Sequence, residues 1–98
     1  MFVGTCQITL HITMSASLKD KRQVMQSLLE RLRHTFDLAA AEVATQESWH
    51  IGTIGIAVVS NSAAHAEKLL DRAVAYVERF RPDVEVGQVE RDILPMDW

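Results

Sequence analysis

From Phe2 to Met14 the chain alternates strictly between two kinds of side chain. Phe2, Gly4, Cys6, Ile8, Leu10, Ile12 and Met14 fall on one parity, and Val3, Thr5, Gln7, Thr9, His11 and Thr13 on the other. Successive side chains of a β-strand point to opposite faces, so this pattern predicts a strand with one face on a core and one face turned away. A helix would scatter the same apolar residues around its circumference. The chain must therefore build a sheet, and something else in it must cover the dry side.

Two later segments can do so. After the loop Ser15-Ala16-Ser17, Ser17 and Asp20 form a capping-box-like start. From Leu18 the apolar residues Val24, Met25, Leu28, Leu29, Leu32 and Phe36 then recur at helical spacing. A second helix begins at Asn61 or Ser62 and carries Ala66, Leu69, Leu70, Ala73, Val74, Val77 and Phe80 as one stripe, with Pro82 preventing its continuation. Between the helices, residues 38–45 read as a strand despite the three consecutive alanines. Gln46-Glu47-Ser48 reads as a turn, and Trp49 opens a β-branched strand through Val59 as a buried anchor. A last strand is expected from Val84 to Ile93. The parity of Val84 and Val86 changes at Val89 and Ile93, which a bulge near Gly87 reconciles.

The order βαββαβ predicts an α+β, ferredoxin-like sandwich, with a four-stranded antiparallel sheet and both helices on one face. With 98 residues there is room for one domain, expected over 1–94, and a tail at 95–98 that ends in an exposed Trp98. The first 18 residues are uncharged but lack a positive n-region and a continuous apolar stretch, so neither a signal peptide nor a membrane span is expected. A single cysteine excludes an internal disulfide and agrees with a cytoplasmic protein.

Ser17-Leu18-Lys19-Asp20-Lys21-Arg22, Leu28-Leu29-Glu30-Arg31-Leu32-Arg33 and Ala41-Glu42-Val43 resemble the small bacterial YlxP-like family. Gln46, Trp49, Gly55, the run Ala57-Val58-Val59-Ser60-Asn61 and the closing Val89-Glu90-Arg91-Asp92-Ile93-Leu94 extend the likeness over nearly the whole chain. Asp20 and Glu47 stand where the family pattern has Glu and Asp. The resemblance implies the same sandwich and no established activity. Its genes often neighbour those of translation and ribosome-maturation factors, which implies ribosomal or structured RNA as a partner.

Charge is unevenly distributed along the chain. Residues 1–36 hold Lys19, Lys21, Arg22, Arg31 and Arg33 against Asp20 and Glu30, whereas the rest is acidic and brings the net charge to −3. On a helical wheel Lys19, Arg22 and Arg33 share a sector, which makes a candidate phosphate-contacting ridge. Lys21 falls inside the apolar sector. Its side chain is expected to snorkel past the end of the core, the alternative being that it faces an anionic ligand or partner, which adds Lys21 to Lys19, Arg22 and Arg33 as an RNA-contact candidate.

Thr5, Gln7, Thr9 and His11, with Thr53, Gly55 and Ala57, are expected to line the open sheet face. That face lacks the aromatics on which RNA-recognition motifs stack bases, and its small residues suit homodimerisation or a partner protein or metabolite instead. His11, His34, His50 and His65 have no ligand spacing, so no metal or cofactor is expected. The loop after the first strand has no phosphate-cradling arginine, and no motif marks a serine as nucleophile. Glu42, Glu47, Glu90 and Asp92 are expected as solvated strand charges rather than acid–base pairs. No enzyme is expected.

Overall fold

The computed structural model describes residues 1–97. Trp98 lies outside the described residues. The elements follow in the order β1 (Phe2–Ile12), α1 (Leu18–Thr35), β2 (Ala39–Ala44), β3 (Ile51–Ser60), α2 (Ala63–Glu78) and β4 (Val84–Pro95). The strands form one antiparallel sheet in the order β2-β3-β1-β4, and the fold is the ferredoxin-like sandwich.

Local chemistry sets the helix starts. The Ser17 hydroxyl accepts the Asp20 amide at 3.0 Å, and the Asp20 carboxylate accepts the Ala16 amide at 3.2 Å. Two amides that the first turn leaves without partners are thereby satisfied. In α2 the Ser62 hydroxyl accepts the amide of His65 at 3.3 Å. The core lies between the even-numbered face of β1 and the helices. Ile8, Leu10, Ile12, Ile54, Leu28, Leu32, Leu70 and Val77 are fully excluded from water there. At the far ends of the helices, the rings of Phe36 and Tyr76 meet edge to face at 5.7 Å.

The alternation that defines β1 stops one step earlier than the sequence suggests. Ile12 is the last core residue, and Met14 is 75% exposed because the chain has already turned toward α1. Trp49 is no buried anchor: β3 begins at Ile51, and Trp49 sits in the β2–β3 hairpin, 51% exposed. Helix α2 ends at Glu78 with Arg79 as its C-cap, before Pro82 is reached. At the other end of the chain β4 is longer than expected. It pairs through Pro95 opposite Phe2, and the Met96 amide donates to the carbonyl of Met1 at 2.7 Å, so the residues just after Leu94 continue the sheet. The bulge is where the parity change requires it, between the pairs Ile8–Val89 and Leu10–Val86.

Candidate functional site

Both helices cover one face of the sheet and leave the other open. Directly opposed residues in an antiparallel pair share a face, so the register assigns the open side. It carries Val3, Thr5, Gln7, Thr9 and His11 from β1, with Val59, Ala57, Gly55 and Thr53 opposite them on β3. Thr5, Gln7, Thr9 and His11 thus lie where the alternation placed them. Gln7 and His11 are exposed, and Thr5 and Thr9 are half-buried.

The outer strands give this face its character. β2 contributes Ala39 and Ala41, opposite Ala57 and Gly55. Val43, at the register shift between Glu42 and Ala44, lies over Gly55, where a Cβ would come within 2.6 Å of the valine Cγ1. β4 contributes Glu90 and Asp92, opposite Gln7 and Thr5, and Glu85, opposite His11. Between the two flanks lies a trough of about 680 Å³, with Thr5, Gln7, Gly55 and Ala57 on its floor. Its β2 side is apolar and its β4 side anionic. At one end Val59, 66% exposed, and Leu94 flank Val3.

No strand residue on the open face is a lysine or arginine. Nine of the ten basic residues belong to the helices or the segment after α2. The tenth, Arg91, sits opposite Cys6 on the helix side and bonds Asp71 and the Glu67 carbonyl of α2. Glu85, Glu90 and Asp92 match the chain's net charge of −3, because the other ten acidic residues balance the ten basic ones. Along the chain this imbalance reads as a basic N-terminal part and an acidic remainder; folding turns it into a difference between layers.

The helix-1 ridge is less basic than its wheel suggests. Lys19 and Arg22 are exposed, and neither forms an ion pair among the described residues. Arg33 is exposed too, but its Nε and Nη2 both donate to the carbonyl of Ala40 on the edge strand β2, the Nε at 3.0 Å. Arg31 lies over the ring of Phe80, 5.5 Å from its centroid.

Lys21 neither snorkels nor meets an outside anion. Its side chain is 0% exposed, and Nζ donates to Glu42 Oε2 and to the Thr45 carbonyl, each at 2.6 Å. This corrects its place among the RNA-contact candidates, since both a full shell of protein and an ion pair stand between the ammonium and a phosphate. Glu42 is corrected with it: the carboxylate points to the helix side and is only 15% exposed. A signal for this pair was present, because Lys21 lies in the apolar sector of its helix and Glu42 shares the inward parity of Ala40. Opposite charges on two core-facing stripes can only be buried together. Thr45, whose carbonyl also accepts the Ser48 amide, adopts φ 67°, an uncommon conformation for a β-branched residue.

Cys6 is buried on the helix side, and burial raises its thiol pKa, with the charge of Arg91 acting the other way. No group of three or more His, Cys, Asp or Glu side chains among the described residues is arranged to hold a metal ion. No helix among them is long and apolar enough to cross a membrane.

Residues 3–91 match the family described as Protein of unknown function (DUF503). The chain belongs to that family. It is also 31% identical over 96 residues to the Uncharacterized protein YlxP of Bacillus subtilis (strain 168), an alignment that covers 98% of both chains. The YlxP-like resemblance of the sequence motifs is thereby established, and neither the family nor this relative has an assigned activity. Within the family's matched span lie both flanks of the trough except Asp92, together with the buried Lys21–Glu42 pair.

Proposed function

We propose that this DUF503 protein is a non-catalytic protein-binding module that works through the open face of its sheet. The carrying observation is the trough itself: a concave, small-residue surface flanked by the exposed Val43, Val59 and Leu94 on a sheet whose other face carries the two helices. Apolar residues gathered on one accessible surface favour burial against a partner. A second copy of the chain fits this surface less well than another protein does. Two such faces brought together carry six carboxylates and no cation between them. The edge of β2 is a poor route to pairing as well, because Arg33 occupies the Ala40 carbonyl.

The test is a photo-crosslinking side chain at Ala41, on the trough, compared with one at Ala64, on the exposed surface of α2. In the cells that make the protein, Ala41 should give discrete adducts that Ala64 does not. An adduct at twice the chain's mass would assign the face to homodimerisation. Equal adducts from both positions, or none, would overturn the reading.

A second reading, contact with ribosomal or structured RNA through helix α1, draws support from Lys19 and Arg22, which are exposed and without ion pairs among the described residues. Two phosphate contacts make log K fall with log salt at a slope of about −1.4 to −1.8. Lys19→Ala with Arg22→Ala should abolish that slope in filter binding to structured RNA. Binding that ignores salt, or no binding at all, rejects the idea.

A further inference from the structure

Resting on the reading of the open face as an interface, we propose that its occupant is a cationic amphipathic helix of another protein. The helix lays its apolar side on β2 and β3 and its lysines or arginines over Glu90 and Asp92. Three features of the surface select this chemistry.

The first is charge. The open face has carboxylates along β4 and no basic strand residue, so it repels phosphates and attracts cations. The second is the lateral division of the trough. Ala39, Ala41 and Val43 form one flank and Glu90 and Asp92 the other, which matches a helix with apolar and basic sides rather than a uniformly charged tail. The third is size. Four strands spaced about 4.8 Å apart make a platform about 14 Å wide. A single helix with its side chains, about 10–12 Å across, covers it. The small residues of the floor let the helix backbone approach closely, and the mode is the laying of an amphipathic helix into an apolar groove. An added strand would need an edge instead of a face.

The probe is a fluorescent 18-residue amphipathic peptide of leucine and lysine, with a second peptide in which every lysine is glutamine. Binding is read by anisotropy and located by amide NMR shifts on the isotopically labelled full chain. The lysine peptide should shift the amides of Ala39, Ala41, Gly55 and Ala57 and bind about tenfold more tightly than the glutamine peptide. Glu90→Gln with Asp92→Asn should remove about tenfold of that affinity, the upper range for two exposed charge pairs. Glu67→Gln with Glu78→Gln takes the same charge from α2 and should leave affinity unchanged.

Equal affinity of both peptides for the open face would overturn the cationic occupant and leave the interface reading standing. Shifts confined to the helix layer, or absent with both peptides, would overturn the proposal as well, and crosslinking at Ala41 then decides separately whether the face binds anything. Loss of affinity in the α2 variant equal to that in the β4 variant would mean attraction to net charge alone, which also overturns it.

Discussion

Gly52 and Gly55 stand close together on β3 and face opposite sides of the sheet. A Cβ on Gly52 would run into the buried side chain of Met25 from α1, 2.7 Å from its Cε. A Cβ on Gly55 would meet Val43 at 2.6 Å, on the open side, where the valine is half exposed. The distances are alike, yet the neighbours are not. Met25 is held by the packed layer of α1, whereas Val43 borders solvent and has room to turn. The helix-covered face is filled to the point where single atoms matter, and the open face has slack. That contrast in packing accompanies the contrast in charge: the covered face hides the Lys21–Glu42 ion pair, and the open face displays carboxylates that form no ion pair among the described residues.

The largest test of the contrast is at the hidden pair. Lys21→Met leaves Glu42 facing the core without its ammonium and frees the Thr45 carbonyl. It should lower stability by about 3 kcal/mol, the low end for breaking a buried pair because Glu42 keeps some contact with water. Urea unfolding measures it, and adding Glu42→Leu should recover most of the loss. If Lys21→Met is as stable as the parent, the pair contributes little and the two faces differ less than their structures imply.

The glycine comparison comes next. Gly52→Ala should cost about 1–3 kcal/mol as an overpacked core site. Gly55→Ala should cost less than about 1 kcal/mol, because the half-exposed Val43 can change rotamer. Equal midpoints for the two variants would break the contrast in packing. On the open face, Glu90→Gln with Asp92→Asn should change stability by less than about 0.5 kcal/mol, as expected for solvated side chains. A loss larger than that would mean that these carboxylates serve the fold rather than a partner.

The smallest effect at neutral pH belongs to Cys6. Burial raises its thiol pKa, so the folded chain keeps that proton to higher pH than the unfolded chain. Above the ordinary value of 9.0 the unfolded state therefore sheds the proton first, and stability falls as pH rises; below it the thiol has no effect on the pH profile. Cys6→Ser should lack the alkaline decline. Slow reaction of the native thiol with a disulfide reagent would agree with the same burial.

Most of the architecture can be read in the order of residues because each element carries its own period. β1 alternates, α1 and α2 repeat at helical spacing, Ser17 and Ser62 cap their helices, and the parity change in β4 announces its bulge. The errors fall at element ends. Met14, Trp49 and Pro95 are placed by what their neighbours pair with, and no period extends past the last paired residue. The candidate site was half legible. Thr5, Gln7, Thr9 and His11 follow from the alternation of a single strand. Val43 follows from the parity of Ala39 and Ala41, but Glu85 reaches the same surface only through the register shift between β1 and β4. Arg33 looked available because a helical wheel shows direction and not the edge carbonyl that the side chain can reach.

The sequence by itself determined the strand–helix order, the wet and dry side of each element and the net charge of −3. Those are local properties, set by side chains a few positions apart. Only the tertiary structure decided that Lys21 meets Glu42, that the cations gather in the helix layer, and that the carboxylates of β4 share a trough with the alanines of β2. Strand order and register bring together residues far apart in the chain, and no local period encodes which of them become neighbours.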